Sequence, residues 1–131
     1  MSAHDDLERL ARIAIDCGMK IHQRLGPGLL ESVYERLLAD SLTRHGITVD
    51  RQVPISFEFD NIVFNDGFRA DLMLDNKLII EIKSIDRLAP VHTRQLLTYL
   101  RLTEGQLGLL LNFGGETFKE GIKRIVNNYA P

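Results

Sequence analysis

Apolar residues recur at helical spacing from Asp5 to Leu25, where Leu7, Leu10, Ala11, Ile13, Ala14, Cys17 and Ile21 make one stripe, and Gly26-Pro27-Gly28 ends it abruptly. A second helical stretch, Leu29 to Arg44, puts Leu30, Val33, Tyr34, Leu37, Leu38 and Ser41 on one face, with Glu31 at its edge and Gly46 suited to close it. From Ile47 to Phe64 the period changes to two: Val53, Ile55, Phe57 and Phe59 alternate, and Asp60-Asn61 offers a turn. Pro54, which lacks a backbone donor, predicts a free edge for that strand. Two apolar strands follow, Phe68–Leu74 and Leu78–Lys83, then a loop through Pro90 and a helix from about His92 to Leu102. A strand over Leu107–Phe113 and a last helix over about Glu116–Asn127 complete the pattern. The expected order is α-α-β-β-β-α-β-α, an α/β fold without repeats or linkers.

The middle hairpin carries charge where apolar residues are expected: Asp71 in the first strand, Glu81 and Lys83 in the second. Burying an ionised carboxylate costs several kcal/mol, on the order of a folded protein's whole margin, unless a metal or counter-charge compensates. Register decides whether these groups can cooperate, because a slip of one residue sends a side chain to the other face. A two-residue Asp75-Asn76 turn would separate Asp71 from Glu81. An odd connection, Asp75-Asn76-Lys77, or a bulge with the same effect, pairs Leu74 with Leu78, Leu72 with Ile80 and Asp71 with Glu81, and brings the two acids to one face together with Lys83. Two carboxylates, a carbonyl and water suit Mg²⁺ or Mn²⁺ better than zinc, and the lysine is placed to orient a water or stabilise developing charge. Acid and lysine neighbours on a hairpin also occur as plain cross-strand pairs, so the pattern alone leaves both readings open.

Composition narrows the setting. The 131 residues, 44% hydrophobic and 26% charged, are those of one domain with a real core, residues 1–131. A net charge of -2 means that any nucleic-acid contact uses local patches, for which Arg87, Arg94, Arg101, Lys119, Lys123 and Arg124 are candidates. One cysteine, Cys17, excludes an internal disulfide framework and a cysteine-based zinc site, and no apolar run approaches a membrane span. The expectation is a soluble cytoplasmic protein with no membrane contact.

Three segments sharpen this reading: Gly28-Leu29-Leu30-Glu31-Ser32-Val33-Tyr34, the Asp71/Glu81/Lys83 hairpin, and Gln95-Leu96-Leu97-Thr98-Tyr99. With Leu110-Leu111-Asn112-Phe113-Gly114 and Gly121-Ile122-Lys123-Arg124-Ile125, they make the chain resemble the GxxExxY family of the PD-(D/E)XK nuclease superfamily from about Ile13 to Val126. The resemblance implies a restriction-endonuclease-like core, a central mixed β-sheet flanked by helices. It implies hydrolysis of nucleic-acid phosphodiesters with Mg²⁺, DNA being the expected substrate. It implies Asp71 and Glu81 as metal ligands, Glu31 as the helical acid that completes or flanks the metal site, Lys83 as the catalytic lysine, and Gln95 and Tyr99 as a QxxxY pair turned toward the site. Ala70 stands where the superfamily pattern has proline. With no added recognition module, cleavage would be structure-selective or partner-directed, and a homodimer would supply two sites for two strands. The competing readings are a non-catalytic module that keeps the fold to bind nucleic acid or protein, and a hydrolase of a small phosphate compound. Tyr34, His22, His45 and His92 read as structural.

Overall fold

The computed structural model describes residues 2–129. Two helices, α1 (Ala3–Leu25) and α2 (Glu31–Arg44), precede three strands, β1 (Val49–Phe59), β2 (Ile62–Leu74) and β3 (Leu78–Lys83). Helix α3 (Pro90–Thr103) then leads to β4 (Leu107–Asn112), a 3-10 turn over Lys119–Gly121, and β5 (Ile122–Val126). The strands lie in the order β1-β2-β3-β4-β5, with β3 and β4 parallel and every other pair antiparallel. This is a mixed sheet whose one parallel pair is joined by the α3 crossover, the connection that parallel neighbours require.

The sheet separates two apolar layers. On one side α1 and α2 meet Leu72, Leu74, Ile80, Ile82, Leu109 and Leu111; on the other α3 lays Leu96 and Leu100 over Ala70, Ile79 and Leu110. Burial on both faces explains why β3 and β4 read as continuous apolar runs. Leu107–Asn112 is buried throughout. The β1 strand is an outer strand, as Pro54 required, and Asp60 and Asn61 both take positive φ in the tight turn before β2.

The expected register of the central hairpin is present: Leu74 pairs with Leu78 and Leu72 with Ile80. Asp75 and Asn76 adopt positive φ, and Lys77 N–H donates to Leu74 O at 2.8 Å, so a tight turn is followed by one extra residue that restores the odd connection.

Two expectations are corrected. The last helix, expected over Glu116–Asn127, is a 3-10 turn followed by the strand β5. Ile122, Ile125 and Val126 are β-branched, and β4 would otherwise present an unpaired ladder edge; five residue pairs from Leu107–Val126 to Leu111–Ile122 close it. The buried face of α2 is also rotated from the one expected. Tyr34, Glu35, Leu38, Ala39 and Leu42 point inward, while Leu30, Val33 and Leu37 are exposed. Tyr34 fixes this rotation: its hydroxyl donates to Gly26 O at 2.6 Å and accepts from Leu29 N–H at 3.3 Å, and its ring stacks on Phe113. The Gly26-Pro27-Gly28 corner, with positive φ at both glycines, is thereby clamped onto α2.

Candidate active site

Beyond the Leu72–Ile80 pair the β2–β3 ladder gives way to side-chain hydrogen bonds. Asp71 N–H donates to Glu81 Oε1 at 3.3 Å, and Ile82 N–H donates to Asp71 Oδ2 at 2.7 Å. Two carboxylates thus accept from backbone donors of the opposite strand, and they face each other where the strands open. The opening coincides with a break in strand alternation. Leu72 and Leu74 belong to the layer under α1 and α2, yet Ala70 belongs to the layer under α3. Across from Asp71, Gln52 has φ 51°, a left-handed kink in β1 that carries the exchange of faces.

Gln52 also links the hairpin to α2. Its Nε2 donates to Glu35 Oε1 at 2.5 Å and lies 3.3 Å from Asp71 Oδ1. Glu35 is buried, and Arg51 donates to its Oε2 from Nε at 3.1 Å and Nη2 at 2.9 Å. The buried helical acid connected to the hairpin is therefore Glu35, which sequence reasoning missed. Its signal was its place between Tyr34 and Leu38, on the side of α2 that turns inward.

Burial pushes the Glu81 carboxyl up to about 8; the negative charge of Asp71 adds to the rise, and Lys83 opposes it. Lys83, half-buried, follows two residues later on the same face of β3 and is paired with Asn112 of β4. Asn112 is buried and holds the loop after β3: its Oδ1 accepts from Ile85 N–H at 3.0 Å and its Nδ2 donates to Ile85 O at 2.9 Å. From α3, Tyr99 stacks on Phe68 with ring centroids 3.8 Å apart. Its phenol is held above the ordinary value by burial and by the nearby charges of Glu81 and Asp71, while a hydrogen bond with Gln95 acts the other way. Tyr99 therefore lies near the acid pair, and Gln95, exposed, is one turn earlier on the same face of α3.

Glu31 is exposed at the first position of α2. Ser84 Oγ donates to Leu29 O at 2.5 Å, which holds the start of that helix at the carboxyl end of β3. Among the described residues no three His, Cys, Asp or Glu side chains gather as a metal-holding group, so Glu31 does not join Asp71 and Glu81 in one. The histidines are structural: His22 Nε2 meets Gly115 O at 3.0 Å, His45 Nδ1 meets Ser41 O at 2.9 Å, and His92 Nδ1 accepts from Ala89 N–H at 2.9 Å. Of the basic candidates, Arg124 is paired with Glu8 at 2.8 Å on β5, whereas Arg87, Arg94 and Arg101 are exposed before and along α3.

An Asp and a Glu-x-Lys on adjoining strands, a parallel crossover helix carrying Gln95 and Tyr99, and flanking helices on a mixed sheet make up a nuclease-like core. The chain matches the PD-(D/E)XK nuclease superfamily over residues 8–125 and belongs to it. Among solved structures it is similar to the crystal structure of SSO0001, with 18% identity and a TM-score of 0.47, covering 92% of this chain and 79% of that one. No curated protein matches it significantly. Among the described residues no helix is long and apolar enough to cross a membrane.

Proposed function

We propose that this chain is a metal-dependent nuclease of the GxxExxY type, acting as one cytoplasmic domain on the phosphodiester bonds of DNA. The observation that supports it is the opposed pair Asp71 and Glu81, with Lys83 on the same face. Burial and Asp71 push the Glu81 carboxyl up to about 8, so in the metal-free protein it holds a proton at neutral pH, and a divalent cation would displace that proton. With Glu81 deprotonated, two hard oxygen donors fit Mg²⁺ or Mn²⁺. When bound, the ion would polarise a phosphoryl oxygen and lower the pKa of a water.

The chain's own residues do the rest. Asp71 and Glu81 present their oxygens from strands fixed by the Ile82 and Asp71 N–H bonds. Lys83 orients the attacking water or meets the negative charge that develops on phosphorus. Gln95 and Tyr99 position phosphate or water from α3, and Arg94 and Arg101 supply the local attraction for the backbone that an overall acidic chain lacks. Glu31 flanks the metal site from the start of α2. Selectivity comes from substrate shape or from a partner.

A second reading, a non-catalytic module that binds nucleic acid or protein, draws support from the backbone hydrogen bonds that already occupy both carboxylates. Labelled linear, single-stranded and branched nucleic acids and a small phosphate ester, each incubated with wild type and Asp71→Asn in Mg²⁺, Mn²⁺ or EDTA, separate the readings. The nuclease requires metal-dependent cutting of nucleic acid that Asp71→Asn loses by about a hundredfold or more. Tight binding without cutting favours the module, and turnover of the ester alone favours a small-molecule hydrolase.

A further inference from the structure

The β1–β2 hairpin extends past the sheet as an amphipathic arm. Phe57 pairs with Phe64 and Phe59 with Ile62, which puts four large apolar side chains on one face of a two-stranded ribbon. Phe57 stacks on Phe64 with centroids 4.9 Å apart and lies over Gly67, where an added Cβ would fall 2.0 Å from the ring. Yet Phe59 is 63% exposed and Ile62 58%. A solvent-exposed two-stranded ribbon is marginal in water, and its apolar face gains from being covered.

The second uncovered apolar surface is the outward stripe of α2. Leu30, Val33 and Leu37 recur at helical spacing and are all exposed. Two grooves flank this stripe and share Leu37 and Asp40, one bounded by Arg36 and Arg51 and the other by Lys20, Arg24 and Arg44. The charges of the two surfaces are opposite. Residues 56–67 of the arm contain Glu58, Asp60 and Asp66 and no lysine or arginine, whereas the grooves carry Arg24 and Arg36, which among the described residues form no ion pair, beside Lys20, Arg44 and Arg51, which pair with Asp16, Asp40 and Glu35.

We infer that the arm docks on the α2 face of a second copy of this chain, and that two copies exchange arms about a twofold axis. The acidic fringe disfavours nucleic acid as the occupant and matches the basic rim of the groove. The arm reaches about 13 Å from Ser56 to Asp60 at strand rise, enough to cross a groove beside a helix. Its exposed apolar face offers roughly 300 Å², and two reciprocal contacts bury about 1,200 Å² in total, the lower bound for a specific interface. An interface at that lower bound predicts a weak dimer, and its rim charges predict that salt weakens it further.

Sedimentation velocity of the full chain tests this. Wild type dimerises in the range of about 1–100 µM at low salt, and its dissociation constant rises severalfold in 0.5 M NaCl, on the order expected for screened rim charges. An arm variant, Phe59→Ser/Ile62→Ser, and a groove variant, Leu37→Glu, each weaken self-association by about tenfold or more while keeping the wild-type circular dichroism spectrum. Mixing the two variants restores association to an intermediate level, because the intact arm of one meets the intact groove of the other. A wild type that stays monomeric throughout that range, an arm variant as dimeric as wild type, or mixed variants that stay monomeric would each overturn the inference.

Discussion

At the scale of single residues, Glu81 couples the stability of the fold to pH. The folded chain keeps its proton up to about pH 8, whereas an unfolded glutamate releases it near 4.5. Between those values the folded state binds more protons than the unfolded state, so the stability of the metal-free protein falls as pH rises through that window and levels off above it. Glu81→Gln removes this dependence and raises the melting temperature at pH 8 by about 5 °C or more, measured by calorimetry against pH. Added Mg²⁺ raises the melting temperature of wild type at pH 8 and has little effect on Glu81→Gln. Removing the Glu35 side chain is destabilising instead. Its buried carboxylate receives three hydrogen bonds from Arg51 and Gln52, and Glu35→Ala costs about 1–3 kcal/mol in urea denaturation. The meeting of Asp71 and Glu81 across the hairpin, with Lys83 on the same face, was legible because charges interrupt apolar strands. The Glu35–Gln52 link was not, because a glutamine with positive φ leaves no mark in the sequence and Glu35 turns inward only once α2 is rotated.

At the scale of elements, the parity of a turn decides whether there is a site. The Asp75-Asn76 turn plus Lys77 restores the register that faces Asp71 to Glu81, and this followed from requiring two acids to share a face. The last element followed a different rule. Ile122-Lys123-Arg124-Ile125-Val126 fits a helical stripe as well as a strand, and the exposed ladder of β4, a tertiary demand, selects the strand. Gly121, at the entry to β5, lies where an added Cβ would sit 2.5 Å from Asn112 O. Gly121→Ala consequently destabilises the fold by about 1–3 kcal/mol and loosens the Asn112 loop after Lys83, read by hydrogen exchange at Ile85. Tyr34→Phe removes only the hydroxyl that clamps the Gly26 corner, and costs about 1–2 kcal/mol in urea denaturation with the Phe113 stack retained.

At the scale of the whole molecule, one sheet with helices on both faces brings the acid pair between Glu35 of α2 and Tyr99 of α3. The mixed sheet and its helical layers were legible from periodicity, while the outward turn of Leu30, Val33 and Leu37 was not, because an apolar stripe does not say which of its residues a neighbour covers. In the proposed function the Asp71–Glu81 pair serves hydrolysis and Lys83 assists it. Lys83→Ala leaves both carboxylates in place, so it separates metal binding from turnover. The decisive measurement is single-turnover cleavage of labelled DNA by wild type and Lys83→Ala in saturating Mg²⁺, with metal affinity measured in parallel by calorimetry. The expected result is similar metal binding and a rate lower by about a hundredfold or more in the variant. Equal rates in the two proteins would contradict it.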